Sequence, residues 1–402
     1  MAGNRFERYE RLFAGRGEPF AFVDLDALWA NSRQMLQRAA GKPIRVASKS
    51  VRCVAIQRRI LESDERYQGQ LTFTLPETLW LAGQGFTDLV VAYPTVDRGA
   101  LAELAAFTAE QPDTAPVVVV DSTEHLDLIA AVWPGGAPVR VAIEVDCAYW
   151  AAGGAIRLGP KRSPIHHVGQ AVELAQEIER RPSVTLAGMM FYEGQVAGLG
   201  DAAPGGASVA AKNRVIRELH KRSVAELAER RAQIVSAVRE VSELEFVNGG
   251  GTGSLHTTSK ETAVTDIAAG SGFYAPTLFD TYSTFKLQPA AMFVLPVVRK
   301  PTKKVATALG GGYLASGVGA PDRMPTPYLP EGLKLDANEG AGEVQTPLIG
   351  RAAKKLAIGD RVYFRHTKAG ELCERFDSLL LVEGDHIVDE VPTYRGEGKT
   401  FL

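Results

Sequence analysis

The sequence predicts an α/β protein, a (β/α)8 barrel of the TIM type followed by a C-terminal, mostly-β domain. Short apolar runs rich in β-branched residues recur over residues 44–268, and helical periodicity fills most of the gaps between them. There are eight such runs, the number that closes a barrel of parallel strands. From Phe285 onward the helical patterns fade, and Gly, Pro and β-branched residues dominate. A length of 402 residues also exceeds what one core ordinarily serves.

Taken in order, residues 1–18 form a polar, charged segment expected to pack on the β domain, 19–284 the barrel and 285–402 the β domain. After a first apolar run, Ala21–Leu25, barrel strands are predicted at Ile44–Ser48, Leu71–Leu75, Asp88–Ala92 and Val117–Asp121. The other four are Val139–Val145, Thr185–Phe191, Glu245–Asn248 and Thr265–Ala268. Helices are predicted at Ala27–Ala39, Glu77–Ala82, Arg98–Ala109, Thr123–Val132, Val168–Arg180 and Ala207–Val241. Phe293–Val298, Lys304–Leu309, Arg361–Arg365 and Leu379–Val382 read as strands of the last domain. Gly198–Gly206 is a small low-complexity stretch expected to be a mobile surface loop, and the polar Tyr394–Lys399 is expected to fray.

Composition narrows the function. Lys plus Arg total 45 against 47 for Asp plus Glu, and that balance argues against a nucleic-acid partner, which would leave a basic surplus. Three scattered cysteines cannot form a secreted disulfide framework, so a cytoplasmic location is expected. No signal-peptide pattern opens the sequence, and Ala290–Val298 is too short to span a bilayer, so no membrane role is expected.

Active sites of such barrels lie at the C-terminal ends of the strands, where the unusual residues of this chain fall. Lys49 follows the first barrel strand, and a lysine in a partly desolvated, cation-rich pocket suits Schiff-base chemistry. A solvated lysine after a strand reads the same way. Asn248-Gly-Gly-Gly-Thr-Gly-Ser254 follows the seventh strand and Gly270-Ser-Gly-Phe-Tyr274 the eighth; glycine-rich turns here let backbone amides approach a phosphate, or simply make tight turns. Arg157 stands beyond Glu144-Val-Asp146, placed to hold an anionic oxygen or to pair with Asp146. Tyr192 and Gln195 end the sixth strand and are candidates to line the pocket beside ordinary barrel packing. In the last domain His366 and Cys373 are candidate ligands for a borderline-soft ion, or else a surface histidine and a buried thiol.

These residues together resemble the fold-type III pyridoxal phosphate (PLP) enzymes, whose barrel is like the alanine racemase N-terminal domain. Within them the chain is similar to the D-threonine aldolase and D-serine dehydratase (amino acid deaminase/aldolase) family. The resemblance rests on Phe20-Ala-Phe-Val-Asp-Leu-Asp26, Lys49, Asp88-Leu-Val-Val-Ala-Tyr-Pro94, Glu144-Val-Asp146 with Arg157-Leu-Gly159, Gly249-Gly-Gly-Thr-Gly253 and Gly272-Phe-Tyr274. It implies that Lys49 is the Schiff-base lysine and that Arg157 faces the cofactor's 3-hydroxyl. It also implies that Gly250, Gly251, Thr252, Gly272 and Tyr274 lie near the phosphate. Family members hold a divalent ion, zinc or manganese, through a C-terminal His followed two positions later by Cys or Asp. Here Lys368 stands two after His366 and the nearest soft ligand is Cys373, so the site is displaced, rebuilt or absent. The family's Arg-Pro-His-x-Lys-x-His string reads Arg45-Val-Ala-Ser-Lys-Ser-Val51, without either imidazole.

The implied function is a PLP-dependent lyase on a D-configured β-hydroxy amino acid, by retro-aldol cleavage or by dehydration, with or without metal assistance. A racemase or epimerase on the same fold, a non-catalytic PLP-binding protein and a barrel without PLP are the alternatives. By analogy a homodimer is expected.

Overall fold

The computed structural model describes residues 2–402. Its first elements are α1 (Ala2–Leu12), β1 (Phe20–Asp24), α2 (Leu25–Arg38), β2 (Ile44–Ala47), α3 (Val54–Ser63), β3 (Tyr67–Thr72), α4 (Leu75–Gly83) and β4 (Leu89–Val91). There follow α5 (Arg98–Glu110), β5 (Val117–Val120), α6 (Thr123–Ala130), β6 (Val139–Val145), β7 (Tyr149–Ala151), β8 (Ile156–Leu158), α7 (Val168–Glu179) and β9 (Val184–Phe191). Next are α8 (Gly194–Ala197), α9 (Ala207–Arg239), β10 (Phe246–Gly249), α10 (Leu255–Thr258), β11 (Asp266–Ala269) and α11 (Ser271–Tyr274). The remaining strands are β12 (Ala291–Thr302), β13 (Val305–Leu309), β14 (Thr326–Leu329), β15 (Leu333–Leu335), β16 (Gln345–Gly350), β17 (Arg361–Arg365), β18 (Ser378–Glu383) and β19 (His386–Pro392). Two compact units result, one holding residues up to Gln34, Ser50–Ile56 and Ser271–Thr400, the other Met35–Lys49, Gln57–Gly270 and Phe401–Leu402.

The second unit is the predicted barrel. Strands β2-β3-β4-β5-β6-β9-β10-β11 lie in that order and close on β2, all parallel. Side chains on a strand alternate between two faces, so each valine-rich strand divides its residues between two cores. Val90, Val117, Val119, Ala142, Ala187, Met190 and Phe246 form one cluster, without helical residues, inside the ring. Val91, Val118, Val120, Val141, Ile143, Leu186, Met189 and Val247 point the other way, onto apolar residues of α5, α6, α7 and α9. Arg45, 4% exposed, faces inward and is held by Asp266 and Asp88 near the starts of β11 and β4. A buried guanidinium is tolerable only with such partners, and these close the barrel floor.

Two local expectations are corrected. The second barrel strand is β3, Tyr67–Thr72, rather than Leu71–Leu75, because Phe73–Leu75 are consumed in starting α4. Thr74 caps that helix, its hydroxyl accepting from the Glu77 amide, while the Glu77 carboxylate accepts from the Phe73 amide at 2.7 Å. The low-complexity loop is tied down: the Asn213 side chain accepts from the Ala203 amide and donates to its carbonyl, at 3.2 and 2.8 Å.

The first unit is built on a mixed nine-stranded sheet. Strand β1 pairs antiparallel with β12 and parallel with β18, so it serves the sheet although it precedes every barrel strand. Helix α1 belongs here too. Tyr9 and Phe13 are fully buried against Phe20, Phe22, Met292, Val294 and Tyr363. The tail expected to fray is anchored, since Tyr394 is fully buried and its amide donates to the Arg52 carbonyl at 2.9 Å. Among the described residues no helix is long and apolar enough to cross a membrane.

Deleting a buried aromatic removes its transfer energy and leaves a cavity. Phe13→Ala is therefore expected to lower the free energy of unfolding by about 3–5 kcal/mol, read from urea denaturation. A loss below ~1 kcal/mol would show that α1 contributes little to that core.

Candidate active site

The site follows from strand parity. Arg45 faces into the barrel, so Ala47 and then Lys49 share its side, and Lys49 sits in the single helical turn Ser48–Ser50 directly after β2. Its Nζ donates a hydrogen bond to Oη of Tyr93 at 2.7 Å. Tyr93 lies two residues beyond β4, in parity with Leu89 and Val91 only if the strand were continued flat; a bend after Val91 carries its ring instead to the lysine. Arg162, from the loop beyond β8, places Nη2 3.5 Å from the same phenolic oxygen. The Arg162 guanidinium lies 5.0 Å from the Tyr93 ring centroid and 4.6 Å from that of Tyr192, and its Nη1 donates to Glu144 Oε1 at 3.3 Å. Lys49, Tyr93, Glu144, Arg162 and Tyr192 thus form one contact chain at the C-terminal rim.

The charges act on one another. Burial pushes the Glu144 carboxyl up to about 7, and the Arg162 cation only partly opposes it. Burial would also raise the Tyr93 phenol, but the Lys49 ammonium and Arg162 guanidinium outweigh it and hold the phenol below its ordinary range. The cluster therefore combines an amine, a carboxyl that titrates near neutrality and a phenol eased toward ionisation.

The glycine-rich turn after β10 has no room for a side chain at Gly250 or Gly251. Gly250 has φ +83°, and a Cβ there would come within 2.7 Å of Ile267. A Cβ on Gly251 would lie 2.9 Å from that of Ala197 and 3.4 Å from the Tyr192 ring. The Gly250 amide donates to Glu193 and the Gly251 amide to Ser254 Oγ, at 3.2 and 3.1 Å, while the Gly253 amide has no acceptor among the described residues.

Other predicted residues lie elsewhere. Arg157 is exposed on the β7–β8 hairpin with its guanidinium 3.8 Å from the Trp150 ring centroid, so Arg162 is the arginine beside the lysine's tyrosine. Nor does Arg157 pair with Asp146, whose carboxylate is taken by the Ala148 amide, Trp150 Nε1 and His166. Gln195 donates to the Cys147 carbonyl at 2.7 Å. Gly272 and Tyr274 are on α11 in the sheet-containing unit, where the Tyr274 hydroxyl donates to the Val51 carbonyl at 2.9 Å. His366 and Cys373 are both buried and engaged with backbone. His366 Nε2 lies 2.9 Å from the Ala369 carbonyl oxygen, and the Cys373 thiol donates to that of Val51. Burial lowers His366 to about 4 and raises the thiol. Among the described residues no group of three or more His, Cys, Asp or Glu could hold a metal ion.

Tyr93, Arg162 and Glu193 were not singled out from the sequence. Tyr93 and Glu144 did lie within runs that were, and strand-end position was the signal available for both. Arg162 carries no such signal, because the β7–β8 hairpin separates it from β6.

The model of the alanine racemase N-terminal domain matches residues 23–256. The 3-hydroxy-D-aspartate aldolase of Paracoccus denitrificans (strain Pd 1222) is 25% identical over 266 residues, 63% of this chain but 59% of that relative, so less than two thirds of its length is matched. Among solved structures, D-threonine aldolase from Filomicrobium marinum superposes with a TM-score of 0.77 at 20% identity, covering 94% of this chain and 95% of that one. The D-threo-3-hydroxyaspartate dehydratase from Delftia sp. HT23 gives 0.72 at 18% identity, covering 95% and 98%. At these identities the structures show a shared fold, the barrel with its mostly-β domain.

The Glu144 shift has a pH signature. Below the usual 4.5 the carboxyl is protonated in folded and unfolded chains alike; between 4.5 and about 7 only the unfolded chain releases the proton, so stability falls; above about 7 the loss is complete. Glu144→Gln lacks this titration and is expected to gain about 3 kcal/mol on the wild type across that window. Parallel stability–pH curves for the two proteins would contradict the assignment.

Proposed function

The chain belongs to the alanine racemase N-terminal domain family, and on that premise we propose that it is a PLP-dependent lyase acting on a D-configured β-hydroxy amino acid, with Lys49 as the cofactor-bearing amine. The observation that carries the reading is the Lys49 amine at the C-terminal rim, 2.7 Å from Tyr93 and within one contact chain of Arg162 and Glu144. The aldolase and dehydratase names of its relatives favour cleavage or dehydration over racemisation.

The residues suit PLP. Lys49 offers a primary amine, Arg162 a guanidinium for an anionic oxygen, and the turn through Gly251 excludes any side chain while leaving the Gly253 amide for an anion. When bound, PLP supplies an electron sink for a bond breaking at the substrate's α-carbon. The protein's part is to place and move protons. Lys49 Nζ would be the base for the α-proton in dehydration, with Tyr93 Oη exchanging a proton with it along their hydrogen bond. Glu144, titrating near neutrality, serves in its protonated form as the acid for a leaving hydroxyl, or ionised as the base that retro-aldol cleavage requires at that hydroxyl. Arg162 keeps Glu144 and Tyr93 oriented and anchors an anionic group of the ligand.

The purified protein should develop a visible absorption band with PLP, and borohydride should fix the adduct on Lys49, located by peptide mass spectrometry. Lys49→Ala should show neither. With D-threonine or D-3-hydroxyaspartate, aldehyde with glycine would mark the aldolase and keto acid with ammonia the dehydratase. No PLP adduct, or no turnover of any D-β-hydroxy amino acid, would overturn the proposal. Tyr93→Phe should lower kcat by 10²–10⁴-fold, on the order of one general acid–base contribution, with a smaller change in KM.

A further inference from the structure

Glu193 follows Tyr192 at the end of β9, so its side chain takes the opposite parity, away from the barrel interior and toward α9. A buried carboxylate costs several kcal/mol unless it is paired and hydrogen-bonded, and this one is 2% exposed. It is met on every side. Arg231, fully buried on α9, places Nη2 3.1 Å from Oε2, and the Gly250 amide donates to the same oxygen at 3.2 Å. Oε1 accepts from Ser254 Oγ at 2.9 Å and from the Thr258 hydroxyl. Ser254 Oγ in turn accepts from the Gly251 amide at 3.1 Å. Nη1 of Arg231 is bonded to Glu261, so the cation too is held at both terminal nitrogens. One carboxylate therefore ties four residues of the segment 250–258 together, directly or through Ser254, and spends the first two amides of the turn on acceptors inside the protein.

We propose that Glu193 is a positioning residue for the phosphate of the cofactor. Its carboxylate turns the Gly250 and Gly251 amides inward, so the phosphate monoester meets the later part of the turn at Gly253. The inference rests on the PLP reading of the site. It also accounts for a carboxylate beside an anion cradle: the Arg231 guanidinium neutralises it, and both of its oxygens already accept from donors of the protein.

A merely structural buttress would weaken PLP and pyridoxal together, whereas a positioning residue acts only on the ligand that carries the phosphate. Glu193→Gln keeps the shape but sets an NH2 group against donors that need an acceptor. Apo-protein is titrated with PLP and with pyridoxal, following the visible band. The wild type should prefer PLP; in Glu193→Gln PLP affinity should fall about tenfold or more with pyridoxal affinity unchanged within about twofold. Ser254→Ala, which frees the Gly251 amide and removes one donor to Glu193 while Arg231, Gly250 and Thr258 still hold that carboxylate, should move the ratio the same way by less, and it decides the matter if Glu193→Gln does not fold. An unchanged PLP-to-pyridoxal ratio in a folded variant, or equal losses for both ligands, would overturn the inference alone. A wild type that binds neither compound would overturn the PLP reading and this inference with it.

Discussion

A side chain at the end of a barrel strand has two places to go, the mouth of the barrel or the surrounding helices, and one residue of register decides which. That constraint governs this molecule. Arg45 closes the floor, and the same parity four residues later delivers Lys49 to the rim. Glu144 shares parity with Ala142 of the interior cluster and reaches Arg162, whereas Glu193, one step beyond Tyr192, turns back toward Arg231 on α9. Adjacent residues of one strand end thus do different work, Tyr192 beside the arginine of the rim and Glu193 behind the glycine-rich turn.

Three buried charge groups of the barrel unit differ in the kind of partner they have. At the floor, Arg45 is matched by carboxylates at the starts of two strands, Asp266 opening β11 and Asp88 directly before β4. Behind the glycine-rich turn, Arg231 and Glu193 are joined by Glu261, and the carboxylate also collects backbone and hydroxyl donors. At the rim Glu144 has one cation, Arg162, which keeps contact with solvent, and so it is left near its own titration point. Saturated partnership makes a scaffold; incomplete partnership leaves a group able to exchange a proton at neutral pH.

The hairpin β7–β8 belongs to the same logic. Asp146 accepts from Trp150 and His166, whose rings stack at 3.7 Å, and Arg157 caps the stack from the exposed side. Arg157, which the family resemblance implies faces the cofactor's 3-hydroxyl, lies over the Trp150 indole, and the arginine five residues further along comes to the tyrosine.

Lys49, the glycine-rich turn after β10 and the eight-strand barrel were all readable from the chain, because they depend on local alternation and on the residues directly after each strand. The start of β3 was not, since the capping chemistry of Thr74 and Glu77 competes with an apolar run that looks equally like a strand. Helix α3 and the buried face of α1 were missed for a related reason: each buries few residues amid many charges, and only the surface they pack on identifies that face. Sequence by itself determined which residues end strands. Which of them meet, Tyr93 with Lys49, Arg162 with Glu144, Glu193 with Gly250, was decided by the lateral order of the strands and by the β7–β8 hairpin, which bring residues 18 to 57 positions apart within one hydrogen bond of each other.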